Sequence, residues 1–427
     1  MASARDPYPD ALRAVALVVV VLGHWVATLP RFEAGRLVAT GHLLDAWTPA
    51  GYFTWIVQVV PLFVFVSAAV SAAGGRERDR AGESHAHWWA GRGLGLARPT
   101  VTYLAVLVAV AGLSFVTREG ILDQLNASLT VHLWFLAVLL GVQLLLPACL
   151  WAERRWGMKS VVALVMLAAT VDLMRASPGS ANEFARFGAR VIDRHDVFAW
   201  VNALVFWIVP QLLGIAWWEK RFSGRAKGAG MVLLGAAWLG LAIVVGYPPS
   251  MVNGNLGGET NLLPPTLALF GVVWLQVGAV MLFEKPVRTF LERRHLGRWM
   301  ALFGAFGLQL YLWHKLAELP AAWLGQRLDW PIDAGVPGEA GFWLGRLEWI
   351  GLCTLMVVPV MLAVVAFERR RRPDVVAAQG KRRILVGGVA LFGGLGASLL
   401  LGAWPGAFVG LPLVAIASWL LRAPRQA

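Results

Sequence analysis

Stretches of about twenty predominantly apolar residues recur along the whole chain, and that is the length an α-helix needs to cross a bilayer's hydrocarbon core. Lipid offers no partner for a backbone N–H or C=O, so a chain of this kind satisfies them within each spanning segment. The expected spans are approximately 11–29, 54–73, 99–117, 130–151, 160–175, 199–218, 230–247, 265–283, 300–320, 345–367, 384–402 and 405–421. The fold class expected is therefore all-α: a polytopic membrane helix bundle of about twelve transmembrane helices, a ten-helix core followed by a C-terminal hairpin. The 58% hydrophobic content of the 427 residues excludes an ordinary soluble domain.

Orientation follows from the basic residues. With the N-terminus in the cytoplasm, the inward connections carry Arg76, Arg78, Arg80, Arg92 and Arg98, then Arg154, Arg155 and Lys159, then Lys220 to Lys227, and later Arg369 to Arg372. The 248–264 loop, on the outer side, has neither Lys nor Arg. Short loops with this bias set topology, and they place both termini inside. The net charge of +13 is spread over these connections, not gathered in one patch, so no nucleic-acid partner is expected. Cys149 and Cys353 lie inside apolar runs, which argues against a disulfide framework, and no metal site is expected. The first apolar run lacks a small-x-small cleavage site and is read as a retained span, not a signal peptide. Composition divides the chain into a membrane core over 1–367, a basic cytoplasmic linker over 368–383, and a transmembrane hairpin with its tail over 384–427.

Within the first span, ten residues separate Arg13 from His24, nine of them Ala, Val or Leu. Eleven helical steps at about 100° come to three turns plus roughly 20°, so both side chains leave one face, roughly 16 Å apart along the axis. The guanidinium reaches the aqueous boundary, whereas the imidazole lies deep enough to be costly unless it is used or paired. A neutral imidazole accepts a proton near pH 7, the property that general-base chemistry on a hydroxyl needs. An interhelical hydrogen bond is the plainer role for the same residue.

Further segments accompany this one: Pro61 to Ser67 closing the second span, Arg92-Gly-Leu-Gly-Leu-Ala-Arg98-Pro99 entering the third, His132-Leu-Trp134-Phe135-Leu136 opening the fourth, and Leu310-Tyr311-Leu-Trp313-His314 in the ninth. Together they resemble the acyltransferase type 3 family of integral membrane acyltransferases over most of residues 5–367. The resemblance implies transfer of an acyl group, expected to be acetyl, from cytoplasmic acyl-CoA to a hydroxyl of a surface glycan, lipid-linked sugar or secreted metabolite. It implies that His24 is the catalytic base with Arg13 its partner, that His314 is a second catalytic polar group, and that Arg92 and Arg98 form the basic entry that binds the co-substrate. Two departures stand out: Ala68 follows Ser67 where the family often has Gly, and Leu139-Leu140 replaces a pair of glutamates found in many members.

Arg92 and Arg98 also have the planar donor fork suited to the phosphates of CoA, although positive-inside residues look the same. Trp134 and Tyr311 are candidate acceptor-binding aromatics, with interfacial anchoring as the plainer role. Asn253, Glu259 and Asn261 lie in the amide-rich 248–264 loop, whose side chains suit sugar hydroxyls but also suit a tight turn. No tightly bound cofactor is expected beyond acyl-CoA as co-substrate. The expected partners are membrane lipid, acyl-CoA and the sugar or metabolite acceptor, in the plasma membrane. A transporter or flippase using the same Arg/His pair is the competing reading; it would show related halves, and residues 13–24 do not resemble 309–314.

Overall fold

A computed structural model describes residues 6–33, 36–117, 129–176, 200–254, 260–330, 332, 335–370 and 380–422. Helix α1 (Pro7–Ala27) begins on a proline, whose missing N–H is no loss in a first turn, and carries Asp10 near its positive end. An antiparallel hairpin follows, β1 (Thr28–Glu33) and β2 (Arg36–His42), with Thr28 opposite His42. Short helices α2 (Leu43–Ala46) and α3 (Ala50–Val57) lead into α4 (Val60–Arg80) and the 33-residue α5 (His85–Thr117).

A 3-10 turn (Val131–Leu133) opens α6 (Trp134–Leu144), followed by α7 (Leu146–Trp156), α8 (Met158–Ala176), α9 (Val201–Trp218) and α10 (Arg225–Val244). The chain continues with α11 (Phe270–Arg293), α12 (Gly297–Trp313), α13 (Glu318–Arg327), α14 (Ala340–Arg370), α15 (Lys381–Leu400) and α16 (Ala403–Leu421). Prolines inside α5, α9, α11, α14 and α16 are tolerated because neighbouring helices and local adjustments re-satisfy the carbonyls they free.

Among the described residues nine helices are long and apolar enough to cross a membrane, or ten if Val131–Leu144 and Leu146–Trp156 count as one broken span. The protein is a helical, multi-pass membrane protein. Two other expected spans, 160–175 and 300–320, coincide with helices that fall outside that set; α12 has 17 residues before the chain turns at 314–317. The β-hairpin is an addition to the all-α expectation.

The chain forms two compact units, the division falling inside α1, α4 and α12. One contains residues 1–20, 48–77 and 145–301. Its α10 and α11 meet backbone to backbone: a Cβ at Gly278 would lie 2.6 Å from the Val232 nitrogen, and one at Gly235 2.6 Å from that of Leu275. Small residues in such rows are how membrane helices gain van der Waals contact without a hydrophobic driving force between them. Polar ties finish the unit. Tyr8 donates to the Val280 carbonyl at 2.6 Å, Trp217 donates to Glu284 at 3.0 Å, and buried Asp172 accepts from Asn202 and Tyr247 at 3.0 and 2.9 Å.

The second unit contains residues 21–47, 78–144 and 302–427. Its C-terminal hairpin, α15 with α16, packs against α5: Trp89 stacks on Phe392, and Leu421 and Leu391 sit over Gly93. This unit also holds His24, His132 and His314.

Candidate active site

α1 delivers His24 from its last turn. Thr28 holds that turn in place, its hydroxyl donating back to the His24 carbonyl at 3.0 Å. The partner segment is the junction between α12 and α13. There Pro320 has no N–H to offer the Leu316 carbonyl, and its ring crowds that oxygen, so the helix stops at Trp313 and restarts at Glu318. The turn between them carries His314 and Lys315. Glu318 binds Lys315, both carboxylate oxygens accepting from its ammonium at 2.8 Å.

His24 Nδ1 lies 2.7 Å from His314 Nε2. The rings are 15° from parallel with centroids 5.0 Å apart. Since each nitrogen sits on its ring's rim, centroids this much farther apart than the nitrogens mean that the rings meet edge to edge in nearly one plane. That is the geometry of an in-line hydrogen bond. The partners fix the protons. His314 Nδ1 lies 2.7 Å from the Tyr311 carbonyl, which only accepts, so this nitrogen carries hydrogen. In the neutral ring Nε2 is then the acceptor, and the hydrogen between the two rings belongs to His24 Nδ1. His24 Nε2 is left with its lone pair, on a ring that is half-buried while His314 is fully buried.

Aromatic and polar neighbours hold the pair. The Trp25 indole donates to the His314 carbonyl at 3.1 Å, and Trp349 donates to the Trp25 carbonyl at 2.9 Å. Tyr311 directs its hydroxyl to the His132 carbonyl. The His132 ring itself lies edge-on to His314, centroids 5.5 Å apart, and against Tyr103 and Tyr311. Neither of its nitrogens completes a hydrogen bond among the described residues, although the Leu312 backbone interacts with the ring. At the end of β2, burial pushes His42 down to about 4, with Asp45 opposing the shift and Lys315 adding to it; its Nδ1 accepts from the Leu44 N–H as a helix cap.

The structure thus joins three of the expected site residues, His24, His314 and Tyr311. Arg13, in the other unit, sits 3.5 Å from Asp10 one turn earlier on α1. On α5, Arg98 lies 3.3 Å from Glu368, while exposed Arg92 has its guanidinium 5.4 Å from the Trp88 ring, which Arg78 also approaches at 4.5 Å. Trp134 opens α6, half-buried. In the 248–264 loop, Asn261 is buried and spends its amide on Pro248 and Ser250 at 2.6 and 3.0 Å and its oxygen on Thr266 at 2.6 Å. Asn253 accepts from Thr260. Glu259 lies outside the described residues.

Sequence reasoning does not single out Thr28, His132 or Lys315; His132 enters only as the first residue of a motif. A threonine at the end of a span gives no signal at all.

A family model described as an acyltransferase domain matches residues 6–368, which takes in every residue of the histidine cluster and ends on the partner of Arg98. No curated protein and no solved structure matches the chain. With the match covering most of its length, the chain belongs to the acyltransferase type 3 family.

Proposed function

We propose that this membrane acyltransferase takes an acyl group, acetyl in the simplest case, from cytoplasmic acyl-CoA. It passes the group to a hydroxyl of a surface glycan, lipid-linked sugar or secreted metabolite at the plasma membrane. The observation that carries the reading is the ordered chain from the Tyr311 carbonyl through His314 to His24, which leaves the His24 Nε2 lone pair as the basic position. A sugar hydroxyl is a poor nucleophile until its proton is engaged. His24 Nε2 takes that proton as the hydroxyl oxygen attacks the thioester carbonyl. When the C–S bond breaks, the proton goes to the departing thiolate, and the ester and free CoA leave. His314 never changes its own proton count in this scheme. It orients the base and spreads the positive charge that forms on it. Arg92 and Arg98 are proposed to meet the phosphates of the donor, and Arg98 would have to leave Glu368 to do so.

Purified protein given radiolabelled acetyl-CoA and an extract of surface glycans tests this directly. Label should pass to the acceptor in the wild type. His24→Ala should abolish transfer, and His314→Ala should lower it by about 10²-fold, the cost of a misplaced catalytic group. Full transfer by His24→Ala would refute the assignment, and movement of unmodified acceptor across vesicles would favour a transporter.

A further inference from the structure

Four residues beyond His24, and one and four beyond His314, a second set of groups links the same two segments. Lys315, 4% exposed, has three N–H bonds and three acceptors: Thr28 Oγ1 at 2.8 Å and the two Glu318 oxygens, each at 2.8 Å. The Thr28 hydroxyl takes the ammonium on its lone pair and turns its own hydrogen to the His24 carbonyl at 3.0 Å, with Glu318 Oε1 at 3.3 Å as the alternative acceptor. Arg346, also buried, donates to the Thr28 carbonyl at 2.7 Å. A fully buried ion pair is poor value for stability, because desolvation of both charges offsets their attraction and an apolar pair of similar volume is often at least as stable. Its position here gives it another use. The ammonium belongs to the residue after His314, and the hydroxyl it binds closes the turn that carries His24.

We infer that Lys315, Glu318 and Thr28 form a positioning clamp that sets the separation and in-plane alignment of the His24 and His314 rings. The clamp rests on the general-base reading above, and it assigns to these three residues a role in the rate of transfer, not in binding either substrate. A nitrogen–nitrogen contact of 2.7 Å between two rings on separate segments has little tolerance, since hydrogen bonds weaken steeply once their angle is lost. Misplacement of a catalytic group by about 1 Å costs on the order of 10²-fold in rate.

The test compares four variants of the full chain in detergent, with melting temperature, kcat and the KM for acetyl-CoA measured on each. Thr28→Val keeps the shape and loses the hydroxyl; kcat should fall about 10–100-fold with KM changed less than about twofold. Thr28→Ser should recover most of the loss. The double variant Lys315→Met with Glu318→Leu removes both charges together, so it should melt at or above the wild-type temperature yet show the same fall in kcat. His24→Ala is the fourth. If it is inactive while Thr28→Val and the double variant keep wild-type kcat, the clamp is wrong and the base stands. If it is active, the base reading itself fails. Activity that merely follows the folded fraction in every variant would make the ion pair structural and overturn the inference.

Discussion

At the scale of single residues, His132 is the group with an imbalance. A fully buried imidazole that completes no hydrogen bond among the described residues has lost its solvation with only the Leu312 backbone in return, against a cost of about 1–3 kcal/mol for an unpaired polar group of this kind. Leucine comes closer to its volume than phenylalanine, which would overfill a site already packed against Tyr103, Tyr311 and His314. His132→Leu should therefore raise the melting temperature by a few degrees. A lower value would mean that one of the ring nitrogens holds a partner. His24 and His314 show how far sequence reaches at this scale. Burial of a titratable ring in an apolar run marked His24 as a group that must be paired or used, but nothing in the local pattern named its partner 290 residues away. Lys315 was harder still, because a lysine after a histidine near a helix end reads as an interfacial residue, and only the turn at 314–317 brings it inward.

At the scale of elements, apolar run length is enough to place nine of the twelve expected spans, because it follows from bilayer thickness. The errors lie where backbone chemistry overrides the run. Pro320 ends the helix before it, so the expected span 300–320 divides into α12 and α13. The β-hairpin was hidden by Pro30 in its first strand, a residue that argues against a central strand yet is harmless in a two-stranded sheet, where both strands are edges. The α10–α11 contact was equally illegible, because 46 glycines give no sign of which ones face a neighbour. Gly278→Val would drive its Cβ into the Val232 nitrogen at 2.6 Å and the Gly228 carbonyl at 2.7 Å, and neither helix backbone can yield without separating from the other. A loss of about 1–3 kcal/mol or more is expected, read as a drop of several degrees in melting temperature. Gly240→Ala on the same α10 has nothing within 4 Å of the added carbon and should be neutral or slightly stabilising, so the pair separates close packing from helix propensity.

At the scale of the whole molecule, the family match ends at residue 368, and the basic linker suggests a detachable C-terminal hairpin. The packing argues otherwise. α15 and α16 belong to the same unit as His24, His314 and His132, and their inner face rests on the α5 segment from Trp89 to Gly93. Trp89 is 3% exposed and donates its indole N–H to the Leu140 carbonyl on α6, so the surface under the hairpin is continuous with the helix that begins just after His132. Lipid would replace the hairpin's apolar contacts at little cost in hydrophobic energy, but not its close fit. Gly388 accommodates the Trp89 ring, and a Cβ there would come within 3.0 Å of it, a complementarity that mobile acyl chains do not reproduce. Ending the chain after Arg370 should therefore lower both the yield of folded protein and the transfer rate per folded molecule, the second through looser placement of α6 and His132. Co-expression of residues 371–427 as a separate membrane fragment should restore activity if the helices find their seat. A truncated protein with full activity and an unchanged melting temperature would make the hairpin an accessory, and the catalytic unit would then end where the family match does.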